Sequence, residues 1–262
     1  MSTEQMMTAA VMETAKPPIG AYTLPAGYLD LATNELWQDV EVRELRGREE
    51  DMLSSRQVPG EKKLSGLLAG CLMRIGPVTD KGRIAKIVDE LTVGDRVYLL
   101  FAIRRVTLGN DLPVREECPS RDCKAKNLFV IDLSELTIKA MPDPRKRIYD
   151  VTLPSGRTAR FRASVGADEI RVAKLAKSTK IDDASQMLLM RLEMVDGEPP
   201  TISMLQDMGM RDRAYLREQF EEIEGGINTS IQLECPSCGH EWEKDLNLAS
   251  ANFFSLSGTR KR

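Results

Sequence analysis

Apolar and polar residues alternate along several short stretches of the chain, which predicts strands joined by tight turns. The clearest case is residues 150–162, where two such runs flank Pro154-Ser155-Gly156. This pattern is typical of a β-hairpin. Two further ribbon-like hairpins are predicted, one in each half of the chain. Their strands fall at 114–117 with 128–133, and at 229–234 with 241–246.

Helical spacing of apolar residues predicts helices between these strands. One helix is expected to begin near Gly166, because two acidic residues in its first turn suit the positive end of the helix dipole. A later helix carries Leu216, Phe220 and Ile223 on one stripe and is expected to end at the two glycines that follow. The matching segment 97–103 of the first half is more apolar, which predicts deeper burial or a surface for a partner.

The second half of the chain repeats the first in the order of its motifs. Residues 94–99 align with residues 211–216, and the same alignment places Cys118 on Cys235 without a gap. Further matches are Leu24-Pro25-Ala26-Gly27 with Leu153-Pro154-Ser155-Gly156, Arg43 with Arg162, Gly47 with Gly166, and Glu50 with Glu169. We therefore predict an α+β protein of two homologous copies, each a small β-hairpin plus helices and a cysteine-bearing, zinc-ribbon-like hairpin.

The repeat divides the chain into four segments. The predicted segments are a flexible stretch 1–20, a first repeat 21–141 with the Cys118/Cys123 turn, a second repeat 142–254 with the Cys235/Cys238 turn, and a basic tail 255–262. The repeats are separated at residues 141–147, whose prolines and basic residues are typical of a linker. Residues 1–18 lack periodicity, which is typical of a segment that only a partner orders.

Cysteine spacing is the strongest chemical signal in the sequence. Four of the five cysteines form two close pairs, Cys118/Cys123 and Cys235/Cys238, each in a Cys-Pro-Ser turn. In a chain without an export signal, close pairs of reduced thiols indicate a metal site rather than disulfides, and zinc is the usual metal. We predict a single structural zinc held by all four thiolates, provided that the fold brings the two pairs together. The alternative is four reduced thiols in separate turns.

The remaining residues of this type have less specific patterns. His240 follows Cys238 by two positions and either contacts the metal or lies exposed in the turn. Cys71 lies in the apolar run 67–73, so we expect a buried helix position rather than a reactive thiol.

Composition narrows the classes of function. The 37 Lys and Arg against 40 Asp and Glu give a formal net charge of −3, and 5% of residues are aromatic, whereas nucleic-acid binding needs a basic surface and stacking rings. A single histidine leaves few acid-base or nucleophilic mechanisms, so no catalytic residue is predicted and the chain is not expected to be an enzyme. No apolar run approaches the roughly 18 residues of a membrane span, so we expect a soluble, intracellular protein.

Two other patterns allow a functional and a structural interpretation. The methionine-rich stretch 187–210 forms either an adaptable surface for a partner or ordinary core packing. The acidic pairs Asp182-Asp183 and Glu221-Glu222 are expected on solvated helix faces rather than as paired catalytic carboxylates.

Taken in order, these motifs resemble those of the baseplate hub assembly proteins of T-even-type contractile-tail bacteriophages. The resemblance spans roughly residues 22–254. It is carried by Leu153-Pro154-Ser155-Gly156, Val40-Glu41-Val42-Arg43, Asp168-Glu169, Gly94-Asp95-Arg96 and Cys235-Pro236-Ser237-Cys238. The wider spacing of Cys118 and Cys123 departs from the Cys-x-x-Cys pattern.

The resemblance implies a non-enzymatic role in building the tail baseplate or its hub. The implied partners are other phage tail and baseplate proteins, with oligomers within a larger assembly, and neither a membrane nor a nucleic acid. An assembly chaperone in the host cytoplasm and a minor structural subunit of the virion tail baseplate both fit. The alternative is a zinc-ribbon nucleic-acid-binding or transcription-associated factor.

Overall fold

The computed structural model describes residues 19–55, 57–178, 182–246 and 253–254. The first half contains β1 (Ile19–Asp30), β2 (Glu35–Arg43), α1 (Gly47–Ser54), α2 (Gly60–Cys71), β3 (Leu72–Ile75), α3 (Lys81–Glu90), α4 (Val93–Leu108), β4 (Asp111–Glu117), β5 (Lys126–Asp132) and β6 (Ile138–Lys139). The second half contains β7 (Tyr149–Thr152), β8 (Thr158–Phe161), α5 (Gly166–Ser178), α6 (Asp183–Arg191), β9 (Leu192–Val195), α7 (Ile202–Asp207), α8 (Met210–Ile223), β10 (Gly226–Ile227), β11 (Ser230–Glu234) and β12 (Glu241–Asp245). The mixture confirms the predicted α+β class.

Each half contains a three-stranded antiparallel sheet with the same topology. The strand orders are β1-β2-β3 and β7-β8-β9, and the predicted hairpin at 150–162 is confirmed as β7 and β8. The registers also correspond. On β2 and β3 the pairs are Val40 with Ile75, Glu41 with Arg74 and, after a shift, Val42 with Leu72, whereas on β8 and β9 they are Ala159 with Val195, Arg160 with Met194 and, after a shift, Phe161 with Leu192. The two sheets thus share an irregularity at the same place.

Side-chain caps fix where several helices begin. Asp80 and Asp182 accept hydrogen bonds from the backbone of α3 and α6, and Thr92 and Thr201 do the same for α4 and α7. A side-chain oxygen at this position satisfies one of the N–H groups that the first helical turn leaves without a partner. Helix α5 begins at Gly166, as its acidic first turn predicts.

Helix α8 confirms the predicted buried stripe but ends differently from the prediction. Its last residue is Ile223, and the extended Glu224 caps it, so the two glycines do not form a left-handed cap. Gly226 instead begins β10, which pairs with β6. A Cβ atom on Gly94, at the start of α4, would lie 1.8 Å from the carbonyl oxygen of Gly225. These glycines therefore allow two backbone segments to cross in close contact.

Helix α4 is buried on nearly every side, which confirms the deeper burial predicted for the first half. Its buried run extends from Tyr98 to Arg104. The surrounding core combines α2, α3 and β1 to β3 with the cysteine-bearing hairpins of both halves. The hairpin and C-terminal residues in this core are Leu112, Leu133, Ile231, Leu233, Leu246 and Phe253. The rings of Phe101 and Phe253 meet edge to face with centroids 5.2 Å apart. The first core thus includes parts of the second half.

A second core lies between α6, α7, α8 and the sheet of the second half. Phe161 and Phe220 meet edge to face at its centre, with ring centroids 5.1 Å apart. Ala26 and Met141 from the first half also belong to it. Each core therefore contains side chains from both halves.

The stretch 141–147 is attached to the first sheet and does not form a free linker. The N–H of Met141 donates to the carbonyl of Pro25 at 2.9 Å, and Arg147 donates to the carbonyl of Gly27 at 2.9 Å. Burial of Met141 in the second core fixes the stretch further. The division of the chain at 141/142 stays a prediction. Residues 1–18 and the tail 255–262 lie outside the described residues, and β1 already begins at Ile19.

Candidate metal centre

Two two-stranded hairpins bring the predicted cysteine pairs to their turns. Strands β4 and β5 are joined by residues 118–125, and β11 and β12 by residues 235–240. These strands confirm that a hairpin lies at each of the two predicted positions. In both hairpins a cysteine directly follows the first strand, after Glu117 and after Glu234.

The four thiols at these turns converge on one point. All four Sγ atoms lie within 4.8 Å of one another. Cys118 Sγ is 3.8 Å from Cys238 Sγ, and Cys123 Sγ is 3.7 Å from Cys235 Sγ. Four sulfur ligands about 2.3 Å from a tetrahedral ion have edges of about 3.8 Å. The cluster is therefore compatible with a metal site, and each close pair takes one thiol from each hairpin.

The two turns reach this geometry with different spacings. In the second turn Gly239 has φ of +69° and its N–H donates to the carbonyl of Cys235 at 2.8 Å. In the first turn Lys124 has φ of +50°, and both Cys123 and Lys124 donate to the carbonyl of Ser120. A left-handed residue thus follows the second cysteine in both turns. In the first turn these hydrogen bonds are accepted by Ser120, two residues after Cys118, whereas in the second turn they are accepted by Cys235 itself.

Hydrogen bonding and burial shift the pKa values of the four thiols in different directions. Burial acts to raise the pKa of Cys235, but hydrogen bonds from the backbone of Ser237 and Cys238 and from neighbouring thiols outweigh it and lower the pKa to about 6. Burial raises the pKa of Cys118. Charge on one sulfur is thus stabilised by donors, whereas four thiolates at these distances need a cation.

Contacts between the hairpins support the convergence of the turns. The rings of Phe129 and Trp242 meet edge to face with centroids 5.8 Å apart, and Lys244 pairs with Glu116 at 3.2 Å. Asn127 lies with its amide nitrogen 3.6 Å from Cys235 Sγ. Cys118 and Cys235 are buried, whereas Cys238 is exposed.

Comparison with known proteins identifies the family. The family model described as T4 bacteriophage base plate protein matches residues 75–255. The chain belongs to this baseplate protein family. The match includes both cysteine turns and begins at Ile75, so strands β1 and β2 precede it. No curated protein and no solved structure matches the chain.

In this member of the baseplate family, the imidazole of His240 and the thiol of Cys71 are not part of the thiol cluster, although the backbone N–H of His240 donates to the Cys238 thiol. His240 is exposed and stacks on Trp242, with ring centroids 6.2 Å apart, and the group of potential ligands among the described residues contains the four cysteines without it. Cys71 ends α2 as a buried residue, as predicted, and burial raises its pKa to about 11.

The methionine-rich stretch divides between core and surface. Leu188, Leu189, Leu192, Leu205 and Met208 are buried in the second core. Met187, Met194 and Met210 are exposed. Of the acidic pairs, Asp182 caps α6, the side chain of Asp183 lies outside the described part of the structure, and Glu221 and Glu222 are exposed.

The aspartate of the Asp-Arg motif fastens a helix to the first hairpin of its half, a role that sequence reasoning missed. In the first half the contact is with the irregularity within β1, and in the second half it is with the turn between β7 and β8. Asp95 accepts hydrogen bonds from the N–H groups of Ala26 at 2.9 Å and Gly27 at 2.8 Å. Asp212 accepts from the N–H of Ser155 at 3.0 Å and from its hydroxyl at 2.6 Å. Burial raises the pKa of Asp95 to about 6, although these donors act to lower it.

The arginine of the same motif ties three helices together. Arg96 donates to the carbonyl of Val88 at 2.8 Å and to Ser65 Oγ at 3.2 Å. Arg213 donates to the carbonyl of Leu205 at 2.7 Å and to Ser185 Oγ at 3.3 Å. The alignment of the two halves could have indicated this role, because the Asp-Arg motif follows the end of a helix in both.

Among the described residues no helix is long and apolar enough to cross a membrane.

Proposed function

We propose that this chain is a non-enzymatic protein of phage tail baseplate or hub assembly. It acts by binding other tail proteins, as an assembly chaperone or as a minor structural subunit of the contractile tail. The observation that carries the proposal is the family match over residues 75–255, which includes the cysteine turns and most of both cores.

We further propose that Cys118, Cys123, Cys235 and Cys238 bind one structural zinc. The tetrahedral edge lengths and the donors aimed at Cys235 support this assignment. Bound zinc would supply a closed crosslink between the two hairpin turns, with no coordination position left for water. The four thiolates would hold the ion, and the hairpins would hold the thiolates. A closed centre of this kind supports a structural rather than a catalytic role.

We also propose that the two halves arose by tandem duplication. The matching strand registers, the shared register shift and the equivalent bonds of Arg96 and Arg213 support a common origin. The cysteine pairs then represent one turn used twice, and a single ion ties the two turns together.

The nucleic-acid alternative has little support on the surface. Strands β11 and β12 present one face with Glu234, Glu241, Glu243 and Asp245, all exposed. Such a face repels a phosphate backbone. Retention on a DNA column that weakens with rising salt would revive this alternative.

A phage that lacks the gene tests the proposed role. We expect the mutant lysate to contain heads and tail precursors without complete baseplates, and the wild-type gene supplied in trans to restore infective particles. Quantitative mass spectrometry of purified wild-type particles then separates the two modes. Stoichiometric retention with other baseplate proteins indicates a subunit, and absence from particles indicates a chaperone. Normal baseplates in the mutant would contradict both modes.

A further inference from the structure

One contact between the halves has no reciprocal counterpart among the described residues. The N–H of Val93 donates to the carbonyl of Ser164 at 2.9 Å, and the N–H of Gly166 donates to the carbonyl of Leu91 at 3.1 Å. Residues 164–166 thus pair with the corner between α3 and α4, and α5 packs beside α2 and α3.

Two residues of α5 complete this contact at Arg96. The carboxylate of Glu169 accepts from Arg96 Nε at 3.0 Å. A Cβ atom on Gly166 would lie 2.4 Å from Arg96 Nη1, so the guanidinium approaches closely only because this residue is glycine. The contact therefore needs a glycine and, three residues later, a glutamate.

Helix α1 carries the same two residues without the contact. Gly47 occupies the position of Gly166, and a Cβ atom there would meet nothing within 4 Å. Glu50 occupies the position of Glu169, is exposed, and forms no ion pair with any residue described. The correspondence of the helices is fixed by a shared ion pair, Arg43 with Glu49 in α1 and Arg162 with Asp168 in α5. No contact with a described residue of its own chain requires that position 47 lack a side chain.

The corner of the second half that is equivalent to the one between α3 and α4 is also exposed. It lies between α7 and α8 at residues 208–210, where Met210 is 70% exposed and its N–H forms no hydrogen bond with the described residues. Helix α8 has no side-chain cap at Gly209, whereas Thr92 caps α4 at the corresponding position.

The helix beside this corner shows the same difference. Met187 on α6 is 41% exposed, whereas its counterpart Leu67 on α2 is 1% exposed. The two positions correspond because Ser65 and Ser185 accept from Arg96 and Arg213 in the same way. An apolar surface that is covered in the first half is therefore open in the second half.

We propose that a second copy of this chain docks head to tail by repeating the internal contact. Residues 45–47 and α1 of one copy would pair with residues 208–210 of the next. The N–H of Gly47 would donate to the carbonyl of Met208, and the N–H of Met210 to the carbonyl of Leu45. Glu50 would accept from Arg213, which already holds the same hydrogen bonds as Arg96.

This arrangement uses a different surface on each copy. A contact between unlike surfaces leaves one of each free in a dimer, so assembly continues to a closed ring or an open filament. The proposal does not depend on the phage role, because it rests on contacts and exposed surfaces of the chain itself.

Sedimentation velocity of the full-length, zinc-loaded protein over a range of concentrations tests the proposal. We expect the wild type to assemble beyond a dimer as concentration rises. Gly47→Leu and Met210→Glu should each weaken self-association by about tenfold or more, since one adds bulk against Arg213 and the other adds a charge to the apolar corner. Unchanged thermal unfolding of the diluted variants would show that both remain folded.

Two substitutions serve as matched controls. Arg48→Leu adds the same side chain one residue further along α1, at a position whose counterpart Ala167 stays exposed in the internal contact. Met194→Glu adds the same charge at an exposed methionine of β9. Both controls should associate as the wild type does.

Mixing the two blocking variants gives the decisive result. Met210→Glu retains an intact α1 and Gly47→Leu retains an intact corner, so an equimolar mixture should form dimers that stop at two chains. A wild type that stays monomeric at all concentrations, blocking variants that assemble normally, or a mixture that stays monomeric would each overturn the proposal. A monomeric wild type that captures a different tail protein through these surfaces would also overturn it.

Discussion

Helices α4 and α8 begin with the same Asp-Arg motif but differ in how much of their surface is buried. In both, the aspartate holds the first hairpin of its half and the arginine holds the preceding helix end. Helix α4 is buried on nearly all sides, whereas α8 buries one stripe. The local bonds are therefore the same, and the difference comes from the two hairpins and Phe253, which pack only on the first core.

The two halves therefore share their local hydrogen bonds but differ in which residues cover their cores. The first core is completed by residues of the second half. The second core leaves its outer corner open, where Met187 and Met210 are exposed. Three predictions test or sharpen this contrast.

The largest effect is expected when the proposed zinc crosslink is prevented from forming. Cys238→Ser should abolish stoichiometric zinc and lower the free energy of unfolding by about 5 kcal/mol or more, because a structural zinc site contributes its binding energy to folding. Since Ile231 and Leu233 belong to the first core, both hairpins and that core should unfold together.

Two tryptophans make this test specific. Trp37 lies in the first core and Trp242 in the second hairpin, so Trp37→Phe and Trp242→Phe give one fluorescent reporter each. Ser237→Ala, between the two cysteines of the second turn, is the control. Separate transitions for the two reporters would show that the hairpin is not part of the first core.

A smaller effect is expected from truncation on the two helices. Phe101→Ala should cost about 3–5 kcal/mol, because a ring that is 1% exposed and packs on Phe253 leaves a cavity. The corresponding position on α8 is the exposed Glu218, where alanine should change stability by no more than about 0.5 kcal/mol. Urea denaturation of both variants measures the difference. Similar losses would mean that the two helices are covered to a similar extent.

The smallest effect is expected from pH at Asp95. Its pKa is raised to about 6 in the folded protein, against about 3.9 for an unfolded aspartate, so the folded state binds more protons between these values. The stabilisation from this group is complete below about pH 4 and is lost as pH rises through 6, by about 3 kcal/mol at most.

Asp95→Asn isolates this contribution. The difference in unfolding free energy between wild type and variant, measured in urea at pH 4 and pH 7, should move in favour of the variant at the higher pH. A difference that stays constant with pH would show that Asp95 is already ionised at pH 4 in the folded protein.

The elements that follow from local pattern could be predicted from sequence. The hairpins, the start of α5 and the stripe of α8 depend on residues close in the chain, and the cysteine turns on a spacing that chemistry restricts. The convergence of Cys118 and Cys235 could be expected only because the halves match.

Features that depend on packing between the two halves could not be predicted from the sequence. Gly225 and Gly226 have the pattern of a helix end, but their lack of side chains serves a crossing with Gly94. Gly47 and Gly166 are equivalent by alignment, yet only Gly166 touches an arginine within the chain. The alignment alone does not reveal that the surface around Gly166 forms a contact within the chain, whereas the equivalent surface around Gly47 stays exposed.

The packing of Phe253 on Phe101 has a consequence for synthesis. Phe253 follows the second cysteine turn and completes the core around the first half, so that core stays open until the second half has been synthesised. Domains usually fold as they leave the ribosome, starting from the N-terminus. Here the apolar side chains of α4 stay accessible on the nascent chain until the residues that cover them, Phe253 among them, have left the ribosome.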